Sequence, residues 1–582
     1  METILWNVAR TDGGEFLYTL YQPILIGMVL YFSGYWWVWL ATIGRNAGVI
    51  RPKPLENPPA ILVVIPTLLR TPAELADLQE AAATVIGNRY PGDVTLCLSI
   101  DGGDPNLVKE LRRWADTRNI LVTSSPKRRG KGVAVALGLE CADRELPELP
   151  PIFFNMDADS VLGPHALERM VVRLMTPGRV TRQRPIVVAS NVLVRHEHYW
   201  AGWRSFFTVR YQLALQVARE YLTSISIARN NRGFLPVTGV SGALYATWTS
   251  LHREQARHAA YMQSLTWRDY VRWWFGRPLP TFATFRGTPN VEIPAGPGDD
   301  TWIAWIAMTA RWCEGKLSLE LPRTPAHAFG RLVRSLIVRP IGYDPQARVY
   351  TATPTTVRGL FRQRMRWNTS RAWLLQRFGV TPFVAWELGF WVMTDLVVTL
   401  MIHSVIVISL VAWPFVQRPA AWLAIMVLGM VGTFAVRLLS TLLALFQEHD
   451  MRGQWHKLLA LPLSGPYHLV FNIAPTIVGY AMDFFGFGLN TQFAPETTLQ
   501  AAGRGRMALA YRITRCAKLC LRALRYGDVP AGRFWFGFGA TKWTANGYAG
   551  WTDPDAKAPR GGVNAREASR RSDDRYTSAP PP

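Results

Sequence analysis

Residues 19–43, "TLYQPILIGMVLYFSGYWWVWLATI", run for 25 positions without a charge. A helix of that length covers the hydrocarbon thickness of a bilayer, and its tyrosines and tryptophans suit the interface. No basic segment precedes it and no small-residue cleavage site follows. The stretch is therefore expected to be a transmembrane anchor and not a signal peptide. Residues 1–18 form a short segment before it. Residues 44–59 follow as a basic, proline-rich linker with Arg45, Arg51 and Lys53. Positive charge there points the next domain toward the cytoplasm.

The texture changes between 60 and 358. "ILVVIP" (61–66), "VTLCLSI" (94–100) and "PIFFNMD" (151–157) are short β-rich apolar runs, with helical stretches at 73–86 and 105–117 between them. Strands alternating with helices at this spacing predict a parallel α/β sheet covered on both faces. Such sheets bind ligands at the carboxyl ends of their strands, so acids that close strands are the candidates for chemistry.

After about 383 the chain is apolar again, with expected spans at 388–414, 420–446 and 457–485. Gly465, Pro466 and Pro475 interrupt the last, so it is either bent or does not cross fully. Residues 486–582 carry 15 Lys/Arg against 7 Asp/Glu and end in a Pro/Ser-rich tail expected to be disordered. Three full crossings would leave that basic tail outside, against the positive-inside tendency. The sequence therefore points to four crossings or one non-spanning segment.

A net charge of +23 raises the question of nucleic acid. No zinc-ligand spacing, recognition-helix pattern or RNA-binding aromatic signature accompanies it, and Lys/Arg flanking membrane spans account for the excess. Nucleic acid is therefore set aside. Cys97, Cys141, Cys313, Cys516 and Cys520 are too scattered for a disulfide framework and fit reduced packing residues.

Several acids close strands or open helices. Asp101 follows "TLCLSI" and precedes Gly102-Gly103; it suits either a turn or a nucleotide contact. Lys131 follows Gly130 at a helix start, where an anion can sit. Asp157 and Asp159 flank Ala158 directly after a buried strand. Two such carboxylates suit a hard divalent ion shared with a diphosphate, or else a solvated acidic turn. Asp299 and Asp300 follow "GPG" before an apolar helix. The macrodipole favours them there, and one of them could also take a proton from an attacking hydroxyl. Gly239 and Gly242 frame a small-residue turn that a substrate could approach. His196 and His198 read as surface residues. Glu387, Asp395, His403 and Arg437 stand in or near the apolar segments, either lining a polar path or pairing helices.

In chain order these are Asp101-Gly, Gly130-Lys131, Asp157-x-Asp159, the Gly239–Gly242 turn, Gly298-Asp299-Asp300 and Gln363-x-x-Arg366-Trp367. The series resembles the processive family 2 glycosyltransferases, the membrane β-glycan synthases that include hyaluronan, chitin and cellulose synthases. Ile100 stands where the family often has a second acid. The resemblance implies an α/β fold: a GT-A-type, mostly parallel sheet (60–358) fused to transmembrane and interfacial helices. The interfacial helix would occupy 359–382 and the transmembrane region 383–485.

It further implies inverting transfer from a UDP-sugar to a growing polysaccharide, with export across the inner (plasma) membrane and a cytoplasmic catalytic domain. A lipid acceptor receiving one sugar is the alternative; a non-catalytic scaffold or transporter is more remote. Asp101 and Lys131 would contact the nucleotide. Asp157 and Asp159 would hold it with Mg2+ or Mn2+. Asp300 would be the base, supported by Asp299. Gln363, Trp367, Gly239 and Gly242 would meet the acceptor, and Arg366 the diphosphate. Membrane lipid and regulatory or export subunits would be further partners. Arg362, Arg364 and Arg371 are expected along the lipid surface, with Trp373 at the interface.

Overall fold

A computed structural model describes residues 55–126, 130–177, 184–195, 199–223, 240–264, 299–313, 341–365, 367, 434–435, 437–442, 444–445, 455–476 and 478. The expected anchor 19–43, the span 388–414 and the tail 486–582 lie outside the described residues. So do Gly239, Arg366, Arg371, Trp373, Glu387, Asp395, His403 and the 196–198 histidines.

The described strands are β1 (Ile61–Leu69), β2 (Val94–Gly103), β3 (Leu121–Ser125), β4 (Ile152–Met156), β5 (Ser160–Leu162), β6 (Val187–Val194), β7 (Leu244–Trp248) and β8 (Ile341–Thr351). They form one sheet in the order β3-β2-β1-β4-β7-β6-β8-β5. Between them run α1 (Pro72–Ile86), α2 (Pro105–Asp116), α3 (Lys131–Glu145), α4 (Ala166–Met175), α5 (Val209–Tyr221), α6 (Thr249–Ser264) and α7 (Asp299–Cys313). The expected helices 73–86 and 105–117 are α1 and α2. Thr71 caps α1 in a reciprocal capping box with Glu74, and the Asp104 side chain caps α2.

The sheet is mixed. β3, β2, β1 and β4 are parallel, as their crossover helices require, whereas β7 runs antiparallel to both β4 and β6. The expected parallel order therefore holds for the first half, and β7 reverses it. Residues of β1 alternate between two cores. Leu62 and Val64 pack with Val135, Phe153, Trp302 and Trp305 on one face; Ile61, Val63 and Ile65 pack with Leu78, Leu111 and Met170 on the other. Burial on both faces explains why β1 reads as an unbroken apolar run.

No helix among the described residues is long and apolar enough to cross a membrane. The described part of 457–485 is a succession of short elements, with Gly465 and Pro466 inside one of them. A 3-10 helix (Trp455–Ala460), a turn, a short α-helix (Ser464–His468) and a π-helix (Leu469–Ile473) succeed one another. α5 lies against the first of these, with Tyr211 and Leu215 packed on Ala460.

Candidate active site

The parallel strands deliver their carboxyl ends to one edge, and the acids collect there. Asp101 lies within β2, which continues to Gly103, so it does not end the strand as its position after "TLCLSI" suggests. It is buried, and its Oδ2 accepts a 2.6 Å hydrogen bond from the Gly130 N–H. Gly130 has φ +104°, a conformation open to glycine, and it immediately precedes α3. Asp101 thereby fixes the N-terminus of α3, whose dipole and Lys131 favour an anion at this edge.

Lys131 Nζ forms a 2.6 Å ion pair with Asp157 Oδ1. Asp157 follows β4 directly and is tied by its N–H to the Ala243 carbonyl at the start of β7. That bond draws Gly242 over the acids. A Cβ at Gly242 would lie 3.4 Å from Lys131 Nζ and 3.7 Å from Oδ2 of both Asp157 and Asp300. Three segments far apart in sequence thus meet beside one glycine. Asp300 lies in the first turn of α7, where its Oδ1 accepts the Thr301 N–H at 2.7 Å. Asp299 is the first residue of the same helix.

Asp159 occupies the turn between β4 and β5. Crowding by protein atoms, then repulsion from the Asp157 carboxylate, push its carboxyl up to about 6, with Lys131 offsetting part of this. The side chain still reaches solvent, so the crowding is that of a site wall and not of a closed core. Ser160 and Thr351 hydroxyls donate to its Oδ1 at 3.5 Å.

Residues 62–229 match the family described as glycosyl transferase family 2. The chain carries a family 2 glycosyltransferase domain. Its mixed α/β sheet is consistent with the GT-A architecture expected from the motifs. No curated protein matches the chain. Among solved structures, the mannosyltransferase PcManGT from Pyrobaculum calidifontis, in complex with GDP-Man and Mn2+, is similar at 14% identity and a TM-score of 0.39. That similarity covers 73% of this chain and 98% of that one. GalNAc-T7 with UDP, GalNAc and Mn2+ is similar at 16% identity and a TM-score of 0.19, over 23% of each chain. At these scores neither assigns a residue role here.

The glycosyltransferase domain presents a donor set that fits a divalent ion only in part. Asp157 and Asp159 are hard oxygen ligands whose mutual repulsion a cation would relieve. No group of three or more metal-ligating side chains exists among the described residues. Such a pair suits Mg2+ or Mn2+ completed by phosphate oxygens and water, rather than a cage built by protein alone.

Within the Gln-x-x-Arg-Trp stretch, Gln363 and Trp367 are described. β8 pairs antiparallel with β5 just after Asp159, and Ser160 faces Thr351. The chain leaving Thr351 then enters a helix at 357–365. Trp367 stacks obliquely beside Tyr221, the last residue of α5, with ring centroids 6.3 Å apart. Burial pushes the Tyr221 hydroxyl up, with the Arg364 charge offsetting part of this. Gln363 has a buried Oε1 without a hydrogen-bond partner.

Arg364 departs from expectation. It is 6% exposed and does not lie along a lipid surface; Arg362 is exposed. Arg364 Nη2 bonds Glu220 Oε2 at 2.6 Å and the Tyr467 hydroxyl at 3.2 Å, and Tyr467 donates to the same Glu220 oxygen at 3.0 Å. Its guanidinium also stacks 4.6 Å from the Trp367 ring centre. Sequence reasoning missed Glu220, Tyr221 and Tyr467. None belongs to a motif, and their partners come from distant segments.

Proposed function

We propose that this chain is a processive, inverting glycosyltransferase that polymerises sugar from a UDP-sugar into a β-linked polysaccharide and passes it across the inner membrane. The observation that carries the reading is the meeting of Lys131, Asp157 and Asp300 around Gly242; Trp367 is held beside Tyr221.

In this reading Asp300 removes the proton from the acceptor hydroxyl as that oxygen attacks C1 of the donor sugar. The bond to the diphosphate breaks on the opposite face, giving inversion through an oxocarbenium-like state. Asp101 and the α3 N-terminus seat the nucleotide, with Lys131 and Arg366 beside the diphosphate. Asp157 and Asp159 would hold a divalent ion, which would supply charge stabilisation for the departing diphosphate. Trp367 offers a ring face to the acceptor sugar, and the Gln363 amide can bond its hydroxyls. The apolar segments 19–43 and 383–485 support the membrane location and the cytoplasmic placement of the domain.

The test is incubation of the purified full chain with labelled UDP-glucose, UDP-GlcNAc and UDP-glucuronate in Mg2+ or Mn2+. High-molecular-weight labelled product is expected. A labelled lipid would replace polymerisation by single transfer, and no turnover with any donor would remove the reading. Asp300→Asn should reduce transfer by at least about a thousandfold while UDP still binds. Retained transfer would dismiss Asp300 as the base.

A further inference from the structure

The helix that carries Asp300 is tied to the strand that follows Gly242 by a chain of buried polar side chains. Trp302 stands two residues after Asp300 in α7, and its indole N–H donates to Gln255 Oε1 of α6 at 3.2 Å. The other arm of that amide, Gln255 Nε2, lies 3.5 Å from His252 Nδ1. His252 Nε2 in turn lies 3.5 Å from the hydroxyl of Tyr245, a residue of β7 three positions after Gly242. All four side chains are 5% exposed or less. The bonds fix their own direction. An indole N–H can only donate, so the Gln255 oxygen faces it and the amide nitrogen faces His252. Burial keeps His252 neutral, titrating at about 3, so Nδ1 accepts and the ring proton sits on Nε2 toward Tyr245.

Apolar packing leaves the rotation of α7 loosely set. Every residue from Trp302 to Ala307 is buried, in one core with Val64, Val135 and Phe153, so the helix has no solvent-facing stripe there. Apolar burial is non-directional and tolerates a turn about the helix axis, whereas one N–H aimed at one acceptor does not. The difference reaches Asp300. At about 5 Å from the axis, a rotation of roughly 20° carries a carboxylate by about 2 Å. A misplacement of about 1 Å can cost about a hundredfold in rate. Asp300 Oδ2 and Asp157 Oδ2 each lie 3.7 Å from where a Cβ on Gly242 would sit, which leaves little room for such a shift.

We propose that Gln255 is a positioning residue for the transfer step: through Trp302 it fixes the rotation of α7 and so aims the Asp300 carboxylate at the acceptor hydroxyl. The inference rests on the reading of Asp300 as the base. Gln255 is buried behind α7 and acts through Trp302, with no contact of its own to donor or acceptor.

The experiment compares Gln255→Leu, Gln255→Glu, Trp302→Phe and the combined Gln255→Leu and Trp302→Phe variant in the detergent-purified full chain. Transfer is followed with labelled UDP-glucose, UDP-GlcNAc and UDP-glucuronate, and UDP affinity by calorimetry in Mn2+. Gln255→Leu and Trp302→Phe should each lower kcat at least about tenfold, with donor KM and the Kd for UDP within about twofold of the parent. The combined variant should lose no more than either alone, because both changes break one link. Gln255→Glu is isosteric and keeps an oxygen for the indole, so it should recover most of the loss. Trp302→Phe keeps an aromatic ring in the core and decides the matter by itself if Gln255→Leu does not fold, with UDP binding as the sign of folding. Unchanged kcat in Trp302→Phe, multiplied losses in the combined variant, or equal losses in Gln255→Leu and Gln255→Glu would overturn the positioning role. Asp300→Asn separates that outcome from failure of the underlying reading. Retained transfer in Asp300→Asn removes the base and this inference together, whereas abolished transfer there with unchanged kcat in Trp302→Phe removes the inference alone.

Discussion

At the scale of single residues, the arrangement around Gly242 makes a sharp separation between fold and chemistry. Its φ is not in the left-handed region, and a methyl group there would meet Lys131, Asp157 and Asp300 at ordinary contact distances of 3.4 and 3.7 Å. Gly242→Ala should therefore fold normally, with Tm within about 1 °C of the parent. The same methyl would occupy the space between the three functional groups. The value of kcat/KM should fall at least about tenfold, equivalent to about 1.4 kcal/mol in the barrier. A variant with full activity would show that no reacting group approaches this glycine. The acids themselves were legible because chemistry at a strand end needs a particular residue type directly after an apolar run. Asp157 and Asp159 satisfy that rule within seven residues of local sequence. The exposure of Arg364 was not legible, because burial of a charge depends on a partner that the local sequence does not contain.

At the scale of elements, three helical segments are tied by one buried ion pair. Arg364 comes from the 357–365 helix, Glu220 from α5 and Tyr467 from the short helix Ser464–His468. Arg364→Met would leave the half-buried Glu220 without this cation, a loss of up to about 3 kcal/mol. Tm should drop by several degrees, and adding Glu220→Gln should recover much of it. A loss under about 1 kcal/mol would instead match an arginine lying on a surface. Because Arg364 also stacks on Trp367, the single variant should raise KM for the acceptor more than for the donor. The first-half elements were readable: α1 carries its capping box in the string Thr71–Glu74, and β1 shows its double-sided burial as an apolar run. The reversal at β7 was not. "ALYATW" carries no mark of direction, and only pairing between the edges of β4 and β6 sets it.

At the scale of the whole molecule, the candidate site draws on β2, α3, the β4–β5 turn, Gly242, α7 and the segment after β8. Its electrostatics predict a pH dependence. Asp159 titrates near 6 in the ligand-free protein, above its ordinary value of 3.8. A raised carboxyl means that the folded chain holds this proton more tightly than the unfolded chain. Ionising Asp159 therefore subtracts stability, a loss absent below about 3.8 and complete above about 6. A divalent ion must displace the proton, so Mn2+ binding should be about tenfold weaker at pH 5 than at pH 7 and level off above pH 7. Calorimetric titration with Mn2+ and UDP across that range checks it, and a flat profile would remove Asp159 from the metal site.

The sequence by itself determined the α/β class, the strand-end acids and the ordered series ending in Gln-x-x-Arg-Trp. Each of those is a local pattern of residue type and spacing. Tertiary structure alone decided that Asp157, Asp300 and Lys131 surround one glycine and that Arg364 is buried against Glu220. Those outcomes depend on which distant segments the sheet order brings together, and a linear pattern carries no record of its contacts.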